Sequence, residues 1–276
     1  MEPEEYRTGK DTGTVGTGEE AGSMVKIDLN CDLGESFGAY TIGMDDKVIP
    51  LISSCNIACG YHASDPLVMK KTVEMAAKAG IGIGAHPGFP DLMGFGRRNM
   101  NISPAEASAY VTYQLGALYA FARSAGVKLQ HVKPHGALYN MAGKNYELAL
   151  AIAKAVQAFD PSLILMGLAG SQSVQAARDI GLPVANEVFA DRAYMPDGSL
   201  MPRTMEGAVI HDEELAISRV VRMVKEHKVT ACDGTDIEII PDSVCVHGDN
   251  IKALAFVTEI RRALEAEGVT IAPLKG

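Results

Sequence analysis

The segment VKIDLNCDLGE, residues 25–35, gives the clearest indication of the fold. Apolar and polar side chains alternate along it, so Asp28 and Asn30 would share one face of a β-strand while apolar residues occupy the other face. A carboxylate in the middle of a strand is costly to bury without a partner, so we expect the polar face to line a site. Asp32 and Glu35 then follow where the strand would end.

Four further segments also place polar residues where an apolar, strand-like run ends. They are NIACGYH (56–62), GAHP (84–87), KPHG (133–136) and HGDN (247–250). In a parallel α/β protein the carboxyl ends of the strands lie on one side, so these endings would converge on one crevice. The sequence therefore predicts an enzyme whose active site lies at that side of the sheet.

Strand-like and helix-like patterns alternate along the rest of the chain. The predicted strands are residues 25–31, 54–58, 81–85, 128–133, 163–168, 183–188 and 243–246. Helices are predicted between them, and two of these begin at clear capping signals, Asp65-Pro66 and Ser103-Pro104. About seven such βα units favour a closed or nearly closed parallel barrel over an open sheet.

The predicted domain is a single barrel spanning residues 24–276. Residues 1–23 are rich in Gly, Thr and Glu and have almost no large apolar side chains. Such a segment cannot bury enough surface to offset the entropy of ordering. We expect it to be a disordered extension or an expression remnant.

Composition limits the partners and the compartment. The chain of 276 residues has a formal net charge of -9, which disfavours a nucleic-acid backbone or an anionic membrane surface as a partner. No stretch approaches the roughly 20 apolar residues of a membrane span. The 5 Cys are an odd number in a chain with a large core, so we expect reduced cysteines and a cytoplasmic protein.

The polar strand endings supply the candidate catalytic residues, which are Asp28, Asp32, His62, Lys133, His135 and Asp249. Carboxylates and imidazoles gathered in one mouth suit proton transfer or a divalent metal. His62, His86 and Asp32 are the candidate metal ligands. For any one of these residues the alternative is structural: a capping carboxylate, a hydrogen-bonded histidine or a lysine that reaches solvent. Cys59 is a possible nucleophile, although burial explains it better.

Two long loops carry candidate anion-binding residues. The loop after the third strand contains Arg97 and Arg98, and the loop after the sixth contains Asp191 and Arg192. Guanidinium groups on flexible loops can hold a carboxylate or a phosphate, although both patches could be surface salt bridges. The candidate substrate-binding residues are Asn30, Glu35, Asn56, Arg97, Arg98, Asp191, Arg192 and His247.

Six ordered motifs resemble those of the LamB/YcsF family. They lie at residues 28–35, 56–62 with 65–66, 84–87 with 94–98, 133–140, 187–192 and 246–249. The resemblance runs from Met24 to the C-terminus. Two departures are visible: Gly88 stands where Ser is common, and Ile251 where Pro is common. We expect both to be peripheral.

Members of this family are described as the A component of bacterial 5-oxoprolinase. The resemblance implies a distorted seven-stranded parallel β/α (TIM-like) barrel, similar to the polysaccharide-deacetylase superfold. It also implies ATP-dependent opening of 5-oxo-L-proline to L-glutamate, with ATP as a co-substrate and two partner subunits in the complex.

The candidate residues suit the implied reaction. A lactam is an unreactive amide, and phosphorylation of its oxygen would make it an electrophile that water can attack. Lys133, Arg97 or Arg98 would hold a carboxylate or phosphate, and Asp28 or Asp32 with a histidine would activate water, with or without a divalent metal.

Two other interpretations stay open. One is a stand-alone divalent-metal hydrolase or deacetylase of N-acyl or carbohydrate substrates, which rests only on analogy of fold. The other is a non-catalytic subunit that binds 5-oxoproline.

Overall fold

In the computed structural model, which describes residues 25–247 and 251–275, seven parallel strands close into a barrel. The strands of the chain are β1 (Lys26–Leu33), β2 (Ser54–Ala58), β3 (Gly82–His86), β4 (His131–Val132), β5 (Ile164–Leu168), β6 (Val184–Phe189), β7 (Lys228–Thr230), β8 (Asp236–Glu238), β9 (Ser243–Val246) and β10 (Thr270–Ile271). The barrel order is β1-β2-β3-β4-β5-β6-β9, and β9 pairs back onto β1 with Cys245 beside Asn30. The prediction of a seven-stranded parallel barrel is confirmed.

Helices cover the outside of the barrel. They are α1 (Asp45–Val48), α2 (Pro66–Ala79), α3 (Pro104–Ser124), α4 (Gly136–Ala142), α5 (Tyr146–Phe159), α6 (Gln172–Asp179), α7 (Glu213–Glu226) and α8 (Ile251–Ala266), with one 3-10 turn at Ile49–Leu51. The predicted capping signals are used: the Asp65 side chain accepts from the first-turn amides of α2, and Ser103 with Glu106 forms a capping box on α3. No helix in the described ranges is long and apolar enough to cross a membrane.

The two faces of the barrel strands differ in polarity. Apolar residues such as Leu29, Ile57 and Val132 point outward and join the large core packed beneath the helices. The alternate positions point into the barrel, where Asn30 on β1 reaches Glu187 on β6, a strand that is not its neighbour. The inside of this barrel is therefore a polar network, and the apolar core lies between the strands and the helices.

The end of the barrel at the strands' amino termini is closed by the C-terminal segment. β10 pairs with the first residues of β1. Beyond it, the Leu274 carbonyl accepts a hydrogen bond from the Gln130 side chain. Leu274 also packs against a small apolar cluster of Ile164, Met166 and Ala185.

Three details differ from the predicted elements. β4 has 2 residues, His131–Val132, where a strand over residues 128–133 was predicted. The helix α4 begins at Gly136, the last residue of the predicted strand-end motif KPHG. Neither α4 nor the hairpin of β7 and β8 was predicted. The predicted disordered extension, residues 1–23, lies outside the described residues.

Candidate functional site

Three imidazoles and one carboxylate form a cluster at the carboxyl ends of neighbouring strands. His62, His86 and His135 lie at or just after the ends of β2, β3 and β4. The rings of His62 and His135 stack with centroids 3.6 Å apart, and His86 meets both edge-on. Glu35, which follows β1, places Oε1 3.2 Å from His62 Nε2 and 3.6 Å from His135 Nδ1. One ligand atom from each of the four residues lies within 4.8 Å of the others.

Hydrogen bonds fix which nitrogens of two of these rings carry protons. His86 Nδ1 lies 2.7 Å from the Lys133 carbonyl, and His135 Nε2 lies 2.8 Å from the Phe95 carbonyl. A carbonyl only accepts, so each of those nitrogens must donate, and in the neutral rings His86 Nε2 and His135 Nδ1 are left without protons. These two nitrogens face each other at 3.0 Å. Two lone pairs at that separation repel unless a cation or a proton lies beside them.

The cluster is electrostatically prepared for a cation. Burial holds the pKa of His62 and of His135 well below the usual range, with neighbouring imidazoles adding to the effect, so both rings are neutral. Burial also raises the pKa of Glu35, as does the nearby charge of Asp32. Neutral imidazoles with bare nitrogens and one carboxylate are the ligand set of a zinc-like divalent ion. The residues present therefore fit such a metal.

Asp32, a predicted metal ligand, lies beside this cluster and is held by other partners. Its Oδ1 accepts from Lys133 Nζ and from Asn56 Nδ2, each at 2.9 Å. Its Oδ2 is 3.3 Å from His86 Nε2. Burial alone would raise the pKa of Asp32, but the Lys133 ammonium group, together with His86 whenever that ring is protonated, outweighs burial and holds it well below the usual range. The structure thus adds Glu35 and His135 to the candidate ligands and leaves Asp32 as an ionised carboxylate facing them.

A second group of possible ligands is Asp32, Cys245 and His247, and two of these residues, Asp32 and Cys245, already contact the ammonium group of Lys133. Lys133 Nζ lies 3.3 Å from Cys245 Sγ and 2.7 Å from Glu187 Oε1, in addition to its bond to Asp32. Burial alone would lower the pKa of Lys133, but Asp32 and Glu187 outweigh it and hold that pKa well above the usual range. Lys133 is only 2% exposed. It therefore does not reach solvent, and its ammonium group is the counter-ion of the barrel interior.

Beneath this level lie two predicted substrate-binding residues, Asn30 and Asn56, both fully buried. Asn30 Nδ2 donates to Glu187 and Ser243, and its Oδ1 accepts from Asn56. Asn56 uses its amide protons on Asn30 and Asp32, so its Oδ1 must accept from His131 Nε2, 2.7 Å away. Both asparagines thus use their side-chain amides within the buried hydrogen-bond network and are held in place by it.

Asp28, a predicted catalytic residue, lies deeper still. It is four residues before Asp32 on β1, about 13 Å away along a strand. Its carboxylate accepts from the hydroxyls of Ser53, Ser54 and Ser243, and burial raises its pKa. The structure does not bring Asp28 to the imidazole cluster.

The predicted anion-binding residues separate into two groups. Arg192 is buried and donates to the backbone carbonyls of Ala208 and Met201, so it holds its own loop together. Arg98 pairs with Asp91 in the loop after β3. By contrast, Arg97 lies over the Phe95 ring, 5.0 Å from its centroid, and that ring meets His135 edge-on. Arg97 is therefore the arginine next to the cluster.

The remaining predicted residues have mixed outcomes. His247 Nδ1 lies 3.1 Å from Asp191 Oδ2, so these two residues meet as a pair. Asp249 lies outside the described residues. The Cys59 thiol is buried, which raises its pKa to about 12, and it contacts the Ile57 carbonyl. A buried thiol that resists ionisation is a poor nucleophile.

Three residues of this network were missed by sequence reasoning: Glu187, His131 and Tyr139. Glu187 accepts from Asn30 and Lys133 on one oxygen and from the Tyr139 hydroxyl, at 2.7 Å, on the other. The signal was available, because a glutamate inside the apolar strand VANEVF is as costly as an aspartate inside β1. Burial lowers the pKa of His131 to about 3, so this imidazole is a neutral hydrogen-bonding group.

Gly88, expected to be peripheral, lies against His62. A β-carbon at this position would be 2.6 Å from His62 Nδ1. A side chain there would therefore move the imidazole.

Comparison with known proteins gives a consistent family. The sequence model described as the LamB/YcsF family matches residues 27–276. The chain is 62% identical over 251 residues to a Clostridium beijerinckii protein named as the A component of 5-oxoprolinase, covering 91% of this chain and 98% of that one. It is 57% identical to a protein of the same name from Campylobacter jejuni, with 91% and 99% covered.

Solved structures agree with these matches. The crystal structure of a lactam utilization protein from Thermus thermophilus superposes with a TM-score of 0.86 at 48% identity, covering 90% of this chain and all 100% of that one. A putative cellobiose-phosphate cleavage protein from Enterococcus faecalis has a TM-score of 0.52 at 16% identity, with 91% and 98% covered. At that identity the second likeness is one of fold alone.

Proposed function

Since the chain belongs to the LamB/YcsF family, we propose that it is the A component of a 5-oxoprolinase and that its barrel mouth performs the hydrolytic opening of the 5-oxo-L-proline ring. One observation carries the assignment of the chemistry to this chain: the unprotonated nitrogens of His86 and His135 face each other at 3.0 Å beside Glu35. That arrangement suits a hydrolytic centre and lies at the end of the barrel where such folds place their active sites.

A divalent metal is part of the proposal. His62, His86, His135 and Glu35 would hold it, and when bound it would polarise a carbonyl and activate water. His86 and His135 each donate their other N–H to a backbone carbonyl, which would hold both rings in the orientation that a metal needs and so lower the cost of binding it.

Asp32 is the residue best placed to take the proton from water. Lys133 and Asn56 hold its Oδ1, and its Oδ2 points toward the cluster. Because Lys133 stays protonated between Asp32 and Glu187, it keeps the carboxylate ionised and fixed in direction. Arg97, exposed at the rim over Phe95, would bind the substrate carboxylate or a phosphate.

ATP and two partner subunits complete the proposed reaction. Opening an unstrained amide needs activation, and phosphorylation of the lactam oxygen supplies it. We assign the handling of ATP to the partners or to an interface with them. The cytoplasm, where ATP is available, is the proposed compartment.

Two alternatives predict different requirements. A stand-alone metal-dependent amide hydrolase is favoured by one observation, the complete four-residue cluster within a single chain. It needs no ATP and no partner. A non-catalytic 5-oxoproline-binding subunit predicts ligand binding without turnover.

The deciding experiment measures glutamate released from 5-oxo-L-proline while ATP, the partner subunits and divalent metal are each omitted in turn. We expect every omission to abolish release. His86→Ala and His135→Ala in the full complex should lower release by about 100-fold or more, whereas His211→Ala, at an exposed position, should not. Release without ATP and partners would favour the stand-alone hydrolase, and unimpaired release by both cluster variants would rule out the proposed centre.

A further inference from the structure

We propose that Gln114, a buried residue of α3, is a positioning residue for His62 and acts on it through the backbone of Gly88. This inference rests on the proposed metal centre, because His62 is one of its ligands. Gln114 itself touches none of the cluster residues in the described contacts. Its effect on the site would pass through two hydrogen bonds and one close packing contact.

His62 differs from the other two imidazoles of the cluster. His86 and His135 each donate their remote N–H to a backbone carbonyl. His62 Nδ1 is buried, and no hydrogen-bond partner for it lies in the described part of the chain. Metal-binding histidines are normally oriented by such a partner. The orientation of the His62 ring must therefore be set by packing, whereas hydrogen bonds set the orientation of the other two rings.

The backbone of Gly88 provides that packing. A β-carbon at Gly88 would lie 2.6 Å from His62 Nδ1 and 3.0 Å from Cγ, so the glycine lies directly against the ring. A second glycine, Gly96, approaches His62 Cβ and His135 Cδ2 in the same way, at 2.7 and 2.8 Å for its would-be β-carbon. The stacked pair of imidazoles is thus confined by two backbone segments, and a shift of either would move the rings.

Gln114 fixes the first of these segments. Its Oε1 accepts from the Gly88 N–H and its Nε2 donates to the Gly88 carbonyl, each at 2.9 Å. The same Nε2 donates to the Tyr110 carbonyl one turn earlier in α3, which aims the carboxamide. Gln114 is 0% exposed, so without it the polar groups of Gly88 would have to find other partners, and the loop would move to do so.

The test uses Gln114→Met in the full chain, because Met keeps the length of the side chain and removes both bonds to Gly88. Long-range 1H–15N NMR of the metal-free protein reports the position and tautomer of the His62 ring. Titration with Co2+ reports metal affinity and ligand geometry through the visible absorption of the ion. We expect shifted His62 resonances, altered Co2+ bands and an affinity reduced by ~10- to 100-fold.

Gln157→Met is the matched control. Gln157 lies in α5, and its Nε2 donates to the Ile180 carbonyl at 2.9 Å. This variant therefore also loses a hydrogen bond from a glutamine to the backbone, but away from the cluster. It should leave the His62 resonances and Co2+ binding unchanged. Gln114→Glu, which keeps an acceptor for the Gly88 N–H, should fall between wild type and Gln114→Met. Thermal unfolding establishes that each variant is folded.

Unchanged His62 resonances and unchanged Co2+ affinity in Gln114→Met would overturn the inference. If that variant does not fold, Gly88→Ala takes its place, since the added methyl group pushes on the same ring, and unmoved His62 resonances there would count equally against it. Failure of the metal centre is separate. It would appear as equal Co2+ binding by wild type and His62→Ala, while the metal-free NMR comparison still decides whether Gln114 positions the ring.

Discussion

At the scale of single residues, Lys133 decides the character of the site. It is a cation held between Asp32 and Glu187 inside the barrel. Its ammonium group also lies over the Phe189 ring, 5.4 Å from the centroid. Because the Glu187 carboxylate is fully buried and that of Asp32 is mostly buried, the ammonium group is needed for the fold as well as for the site.

Lys133→Met would leave the fully buried Glu187 carboxylate and the partly buried Asp32 carboxylate without this counter-charge. We expect a loss of about 3–5 kcal/mol in the free energy of unfolding, the range typical when one partner of a buried ion pair is removed. Urea denaturation measures it. Lys144→Met, at an exposed position, is the control and should change stability by less than about 0.5 kcal/mol. Equal stability of the two variants would contradict the assigned role of Lys133.

Asp28 predicts a pH dependence of stability. Burial raises its pKa above the value in the unfolded chain, so between the two values the native state holds a proton that the unfolded state has lost. Its stabilising contribution is therefore complete below the unfolded pKa and is lost as pH rises toward the folded pKa. Ser53, Ser54, Ser243 and Glu187 are the groups that face it.

Asp28→Asn removes this titration, so the variant should gain stability relative to wild type as pH rises above the ordinary aspartate pKa of about 4. Urea denaturation at several pH values measures the difference in the free energy of unfolding between the variant and wild type. The titration of the other carboxylates is common to both proteins and cancels in that difference. A difference between the two proteins that stays constant with pH, or falls, would show that Asp28 does not hold its proton in the fold.

At the scale of elements, β3 shows how a strand makes room for its neighbour. Gly82 and Gly84 point into the barrel, where β-carbons would lie 2.3 Å from Gln130 and 2.1 Å from His131. Both positions must be glycine because the side chains of Gln130 and His131 occupy the space that a β-carbon would need. The strand GIGAH therefore has small residues at the positions against which Gln130 and His131 pack.

Gly84→Ala should overpack the barrel against the His131 ring. We expect a loss of about 1–3 kcal/mol in the free energy of unfolding and reduced glutamate release, because His131 supports Asn56 and so Asp32. Gly116→Ala on α3 is the matched control, since a β-carbon there meets nothing within 4 Å and alanine stabilises a helix interior by up to about 1 kcal/mol. Similar thermal stability of both variants would be inconsistent with the packing described.

At the level of the whole molecule, the cluster combines residues that follow different strands of the barrel. The four cluster residues come from separate βα units, and β9 closes the ring of strands onto β1. A ligand that binds all four residues would thus resist the opening of the barrel, since binding to the native state alone stabilises it.

Added divalent metal should therefore raise the midpoint of thermal unfolding. At 100 times the dissociation constant the gain is about 2.7 kcal/mol, which for a domain of this size corresponds to roughly 5–10 °C. Differential scanning fluorimetry with Zn2+ or Co2+, and with a chelator, measures it. His86→Ala should lose the shift, whereas His211→Ala should keep it. An equal shift in both variants would place the bound metal elsewhere.

Sequence patterns were sufficient to predict the seven-stranded barrel, and they also predicted which residues follow its strands. These follow from local rules: alternation along β1, capping at Asp65 and Ser103, and polar residues where strands end. The roles of those residues were decided by the tertiary structure. Asn30, Asn56 and Asp28 point into the same barrel interior as Asp32, yet all three are buried and hydrogen-bonded there, and only the assembled barrel shows which interior side chains reach its open end.

The cluster itself also needed three dimensions. His135 lies with His62 and His86 because of the orientation of the His86 and His135 rings. The carbonyls of Lys133 and Phe95 set that orientation by accepting hydrogen bonds from the two rings. Gln114 and Glu187 act across long separations in the chain, through contacts that exist only once the helices and strands have packed. Sequence patterns fix the period and polarity of an element, whereas hydrogen-bond direction and burial are properties of the assembled fold.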